Sequence, residues 1–394
     1  MQPTTPRIAI IGAGPGGLTC ARVLQRHGMP VTLFDRDTSA GARPQGGTLD
    51  MQPHSGQVAL QEAGLDEGFR ALARPEGQEM RLLDRTGTVL LQRTPAPDEE
   101  QSPEIDRGEL RRLLLDSLAP GTVRWGHYLR TLHPIGDGTH KAEFDDGHTA
   151  TFDLVIGADG AWSRVRPLLS DATPHYSGVT FVETGFDDAD TRHPAVARLV
   201  GDGSMMALSG GKGLIAQRNS GGRIRVYAAF RGSQDWAAER GLNLDDTEAV
   251  RAALLETFTG WDGQLLALLQ DNDGGFINRP LFALPVPHAW PHTPGLTLLG
   301  DAAHLMTPFS GMGANLAMLD GCELARALAL PRSLKGAGGA PVADLDAAVR
   351  AYEAAMLPRS AKAAEGSARG LDNAFAHDAP RGALHHLRHR LRHR

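Results

Sequence analysis

Cysteine is nearly absent: Cys20 and Cys322 are the only two in 394 residues. Two thiols cannot staple a chain this long, so a disulfide framework is excluded and a reducing, cytoplasmic setting is expected. Both sit among small and apolar neighbours in stretches that read as helix, where a small core residue is the expected role. Lysine is scarce too, limited to Lys141, Lys212, Lys335 and Lys362, so arginine supplies nearly all the positive charge. A net charge of -6 gives no reason to expect nucleic acid. No run approaches the ~18 apolar residues of a membrane span. No apolar leader precedes the first strand signal near Ile8. Metal-ligand spacing and a Ser-His-Asp arrangement are also missing, so no metal and no side-chain nucleophile are expected. What remains is an ordinary globular composition, 41% hydrophobic and 22% charged, in a chain long enough for two linked domains.

The stretch from Arg7 to Asp37 organises the rest. Ile8 to Ile11 is a short apolar run of the kind that makes a buried parallel strand. Gly12, Gly14 and Gly17 follow at G-x-G-x-x-G spacing. Leu18 to His27 reads as a helix stopped by Gly28, and Val31 to Phe34 reads as a second strand ending at Asp35. This is the order of a dinucleotide site. One glycine makes the tight turn, one lets backbone approach a pyrophosphate, and one lets helix and strand pack closely. The helix N-terminus offers free N–H groups to phosphates, and Asp35 offers acceptors to ribose hydroxyls.

Further along, Thr38 to Pro53 reads as a shaped loop containing Arg43 and Gly46-Gly47-Thr48-Leu49-Asp50. Ser55 to Ala63 reads as helix, Met80 to Leu83 and Thr88 to Gln92 as a hairpin about Thr86-Gly87, and Glu104 to Leu118 as an amphipathic helix. Val123 to Phe152 suggests a small meander. Leu154 to Ile156 is another buried-type strand, running into Gly157-Ala158-Asp159-Gly160 and a helix near Ser163 to Leu169. From Asp171 to Pro280 short alternating segments predict mainly antiparallel sheet with one helix near Asp245 to Phe258. Leu296 to Leu299 is a third buried-type strand, ending in Gly300-Asp301-Ala302-Ala303-His304. Asn315 to Leu330 and Ala347 to Ala374 read as helices, the second long and carrying Pro358. The tail from Arg381 to Arg394 is rich in arginine and histidine. It reads as a solvated end, against the alternatives of a surface-binding helix or a metal cluster.

Three motifs thus fall at the ends of buried-type strands: Gly12 to Gly17 with Asp35, Asp159-Gly160, and Gly300-Asp301 followed by Pro308, Gly311, Gly313 and Asn315. In an open parallel sheet such ends meet at one edge, where ligands bind. As a set they resemble the single-component flavin monooxygenases of the aromatic hydroxylase superfamily. The resemblance implies an α/β fold: a Rossmann-like FAD-binding domain, a substrate domain of mainly antiparallel sheet, and a long C-terminal helix. The expected division is 1–70, 103–170 and 280–335 for FAD, 71–102 and 171–279 for substrate, 342–376 for a bridging helix, and 377–394 for the tail. It implies FAD held by Gly12, Gly14, Gly17, Asp35, Arg36, Asp159, Asp301, Gly311, Gly313 and Asn315, with Asp159 shared with the nicotinamide cofactor. It also implies transient NADPH, molecular oxygen, and a flavin C4a-hydroperoxide that attacks a nucleophilic carbon.

Gly46 to Asp50, Pro103 to Arg107, and Gly300 to Met306 with Pro308-Phe309 resemble more closely the tetracycline-inactivating flavin monooxygenases. That likeness assigns Arg43 to NADPH, Asp50 and Arg107 to FAD, and Pro308 and Phe309 to the substrate cavity. The subfamily's substrate-contacting glutamine, arginine and histidine read here as Arg198, Ser204 and Arg225, and a methionine of its closing helix reads as Ala374. The cofactor half therefore matches and the substrate half departs. The expected substrate is an electron-rich aromatic, phenolic or enolic molecule, a tetracycline-like or other polyketide among them, met by Arg198 and Arg225. His304 is expected to be a packed, hydrogen-bonded residue. The expected assembly is a monomer. Two rivals stay open, a flavin-dependent reductase or dehydrogenase of the same fold and a non-catalytic flavin-binding sensor.

Overall fold

The computed structural model describes residues 5–335 and 342–385; the end of the basic tail lies outside them. A five-stranded parallel sheet comprises β1 (Ile8–Ile11), β2 (Thr32–Asp35), β7 (Val123–Trp125), β11 (Leu154–Gly157) and β17 (Leu296–Leu298), in the order β17-β11-β1-β2-β7. Every side chain of β1 and β11 is buried, as expected of strands covered on both faces. Helix α1 (Pro15–Arg26) packs on this sheet, and α7 (Gly313–Lys335) crosses α1. Cys20 and Cys322 lie buried in those two helices, and burial pushes both thiols well above their ordinary pKa.

A two-stranded ribbon, β3 (Thr48–Asp50) against β6 (Glu104–Asp106), stands beside the parallel sheet. It corrects the expected helix from Glu104: helix α2 begins at Arg107 and ends at Asp116. Pairing of Leu49 with Ile105 overrides the helical propensity of the preceding residues. Val123 to Trp125 leaves the expected meander and joins β2 in parallel. The meander proper is β8 (Leu129–Gly136), β9 (Thr139–Phe144) and β10 (Thr149–Phe152). The helix expected near Ser163 reduces to one 3-10 turn, Arg166–Leu168. Ser163 Oγ accepts from the N–H groups of Val165 and Arg166, and Pro167 has none to give.

The large sheet has seven strands in the order β16-β12-β15-β14-β13-β4-β5. They are β4 (Met80–Leu83), β5 (Val89–Arg93), β12 (His175–Phe186), β13 (Ser204–Ser209), β14 (Lys212–Arg218), β15 (Ile224–Arg231) and β16 (Asp273–Ala283). All pairings are antiparallel except β4 with β13. One face is covered by α3 (Pro194–Val200), α4 (Thr247–Thr257) and α5 (Gly263–Gln270), which share its apolar core. Only the second of these was legible as a helix. The opposite face meets Phe309 and the end of α8 (Val342–Ala374), where Leu371, Ala374 and Phe375 pack. Helix α8 continues through Pro358. No helix among the described residues is long and apolar enough to cross a membrane.

Candidate active site

The site starts where β1 ends. Gly12 has φ +111°, and an added Cβ would lie 2.3 Å from the Ala158 carbonyl oxygen and 2.9 Å from Asp159 Cα. The first two motifs therefore touch through backbone. Gly14, the N-cap of α1, has no atom within 4 Å of such a Cβ, so open space lies before the helix N-terminus. Asp35 closes the cradle: its Oδ2 accepts from Ala13 N at 2.6 Å.

Asp159 accepts from Arg164 N at 2.6 Å through Oδ2, while its Oδ1 is buried without a partner. Burial raises its pKa, against hydrogen bonds from Ser163 and the following backbone. Asp301 opens the short helix α6 (Asp301–His304). Its carboxyl reaches solvent yet is hemmed in by protein, as in a cleft; that crowding raises its pKa, and the charges of His304 and Arg107 oppose the rise. Behind it His304 Nε2 pairs with the fully buried Asp320 at 2.6 Å. Burial works to lower the histidine's pKa, but Asp320, with Asp301 and a backbone hydrogen bond, offsets it and the net shift is upward. Asp320 also accepts from Gly300 N and from Arg359, so this network holds the motif's turn against α7 and α8. His304 is thus buried and hydrogen-bonded through Nε2, with Nδ1 left without a hydrogen-bond partner.

Asp50 meets the third motif from the ribbon. Asn315 Nδ2 donates to the Asp50 carbonyl at 2.7 Å, and a Cβ on Gly311 would lie 3.5 Å from Asp50 Oδ1. Gly313 starts α7 just before Asn315. Arg107 opens α2 with its N–H on the Gly47 carbonyl, and its exposed side chain passes the Gly46 position. Arg43 is exposed and pairs with Asp37 at 2.9 Å; Arg36 is exposed beside Asp35.

Arg111 was missed. It is buried, bonds the carbonyls of Ala13 and Ala40, and keeps Nη2 without a hydrogen-bond partner. Its i+4 spacing from Arg107 was the available signal.

The aromatic face of the large sheet supplies the other wall. Phe309 stands edge-on to Phe181 at 6.1 Å and to Phe375 at 5.5 Å, and Phe181 lies 5.3 Å from Tyr227. Pro308 is exposed beside them. Burial raises the pKa of Tyr227, while the charges of Arg225, Arg107 and Arg279 pull it down. Arg225 pairs with Glu183. The structure does not bring Arg198 here. It is exposed on α3, which covers the opposite face of the sheet, and its carbonyl accepts from Arg81. Glu183 and Arg279 stand beside Arg225 instead. A lone carboxylate in the apolar run of β12 was the signal for Glu183.

A family model described as the FAD binding domain matches residues 5–263 and 290–365. "Monooxygenase penA" of Penicillium thymicola is 32% identical, covering 91% of this chain and 92% of the relative. The chain belongs to the FAD-dependent monooxygenases. "3-amino-4-hydroxybenzoate 2-monooxygenase PtnB3" of Streptomyces platensis is 31% identical over 90% of this chain and 85% of its own. The structure of tetracycline destructase Tet(55) shares the fold, with a TM-score of 0.74 and 21% identity, covering 99% of this chain and 96% of that one. The residues present fit FAD. Open space before α1 suits a pyrophosphate, the orphaned Asp159 Oδ1 awaits a polar partner, Arg111 Nη2 has only an ion pair with Asp37 at 3.7 Å, and Asp50 and Asp301 offer acceptors.

Proposed function

We propose that this monooxygenase hydroxylates an aromatic, phenolic or enolic small molecule, using NADPH as reductant and molecular oxygen. The observation that carries the reading is the meeting of two surfaces at Gly47. A Cβ there would lie 3.2 Å from Gln217 Oε1, 3.3 Å from the Tyr227 hydroxyl and 3.5 Å from Arg225 Cδ. The cofactor loop that leads to Asp50 therefore abuts the aromatic sheet face.

Bound FAD, once reduced, supplies the activation of oxygen. The chain supplies the rest. The glycine turn and the N-terminus of α1 receive the pyrophosphate charge, and Asp35 has lone pairs left for ribose hydroxyls. Asp50 and Asp301 accept from hydroxyls of the cofactor's linking chain, and Arg107 donates to its ring oxygens or phosphate. Phe181, Phe309 and Phe375 exclude water from the substrate side. Arg43, itself exposed, serves NADPH by exchanging its partner Asp37 for a phosphate, and Asp37 keeps Arg111 at 3.7 Å. PtnB3's name specifies a phenolic acid and Tet(55)'s a polyketide, both electron-rich rings, which supports the substrate class.

Purified protein with NADPH, isotopically labelled oxygen gas and a panel of phenolic and polyketide compounds, a tetracycline included, tests the reading by mass spectrometry. One labelled oxygen atom in a panel member is the expected result. Saturation of a compound at the expense of NADPH, or its dehydrogenation with oxygen only as electron acceptor, with no oxygen atom added in either case, would move the chain to the reductase or dehydrogenase reading.

A further inference from the structure

The sheet face that carries Phe181 and Tyr227 also carries a charged group that its aromatic residues do not explain. Strands β15, β12 and β16 lie side by side, and each contributes one residue to it: Arg225, Glu183 and Arg279. Arg225 Nη1 binds Glu183 Oε1, and Arg279 Nε binds Glu183 Oε2 at 2.9 Å. The carboxylate side chain is only 6% exposed, whereas the two arginine side chains are 29% and 52% exposed. A ligand thus meets guanidinium edges and never the carboxylate. Each arginine spends one N–H on Glu183, and the remaining donors have no partner among the described residues. The Tyr227 hydroxyl lies beside them under Gly47. Three charges sum to one positive charge, and the nearly buried carboxylate would be costly without its two cations.

We propose that Glu183 is a positioning residue: it brackets Arg225 and Arg279 into a receptor for a substrate with one anionic oxygen, an aromatic carboxylate or an acidic enolate. This rests on the hydroxylase reading of the same cleft. The two arginines lie on strands roughly 10 Å apart, two inter-strand spacings, and without the bracket their long side chains would be free to turn to solvent. Glu183 fixes their spacing and cancels one charge, so a monoanion balances the group. The same charge favours the phenolate or enolate over its neutral form, which makes the ring a better nucleophile.

The test uses the yellow holoprotein and two matched pairs of probes, 2-hydroxybenzoate with 2-hydroxybenzamide and 1-hydroxy-2-naphthoate with its amide. Binding is read from perturbation of the flavin's visible absorbance. The acids are expected to bind roughly tenfold or more tighter than their amides, the scale of one hydrogen bond to a charged group. R225Q and R279Q should each weaken the acids by a similar factor and leave the amides unchanged. E183Q keeps one acceptor oxygen and cannot bracket both guanidiniums, so the acid-to-amide preference should fall even though the change adds a net positive charge; a merely structural residue would move both probes together, and a retained or raised preference would remove the positioning role. Equal affinity for acid and amide, failure of both acids to bind at millimolar concentration, or an unchanged preference in all three variants would overturn the proposal. Those outcomes on a yellow protein leave the flavin reading standing, whereas a protein that takes up no FAD would remove both.

Discussion

Gly12 and Gly14 are two residues apart and should respond to alanine in different ways. At Gly12 the methyl group would collide with the Ala158 carbonyl, and φ is +111°. G12A is expected to destabilise the fold by several kcal/mol, read as a lowered thermal midpoint of protein freed of FAD. At Gly14 the methyl enters open space at ordinary backbone angles. G14A should leave that midpoint unchanged and weaken FAD binding, because the methyl occupies the approach to the pyrophosphate. Equal losses of stability in the two variants would refute the assignment. Glu104 offers a second test. Burial, with help from Asp50 and Asp106, pushes its pKa from the ordinary 4.5 up to about 7, against the Thr48 hydrogen bond and Arg74. The folded chain keeps this proton where the unfolded chain has lost it. Stability therefore falls as pH rises from about 4.5 to about 7 and then levels, a loss on the order of 3 kcal/mol. E104Q keeps an acceptor for Thr48 and should flatten that part of the stability–pH curve, measured by urea unfolding. The glycines were legible in the sequence because their spacing follows from geometry. Glu104 was not, because its environment comes from partners distant in the chain.

At the scale of elements, the strands that end in motifs were legible because each is a short apolar run closed by glycine and aspartate. The ribbon β3–β6 was not, since only pairing between Leu49 and Ile105 makes Glu104 to Asp106 a strand. Arg198 failed for a related reason. An ungapped likeness assigned it to the cavity, but Pro194 opens a helix there, and the helix packs on the opposite face of the sheet. Ties between elements were equally invisible. Asp320, on α7, accepts from Gly300, from His304 on α6 and from Arg359 on α8 with no exposed surface of its own. D320A should leave the His304 charge buried and unpaired, while Arg359 keeps Glu323 at 2.7 Å, at a cost of roughly 3–5 kcal/mol. Differential scanning calorimetry would show the drop, and a change within experimental scatter would mean that the network contributes little. Asp106 makes a comparable tie, accepting from Asn219 and Ser220 at the β14–β15 turn and so fastening the large sheet to the ribbon.

On the scale of the whole molecule, three strand tips far apart in sequence come together around one cleft, and the aromatic face of a second sheet closes it. The first half of that arrangement was readable, because strand-end motifs in a parallel sheet have one place to meet. The second half was not: which residues of β12, β15 and β16 share a face depends on register, and a shift of one residue exchanges the faces. The most direct measurement is an equilibrium titration of FAD-free protein with FAD, followed by flavin fluorescence, for the native chain and for G14A and D301A. The account predicts one tightly bound FAD per chain and markedly weaker binding in both variants, with their circular dichroism unchanged. Native-like affinity in both variants would contradict the convergence of these strand ends on the flavin.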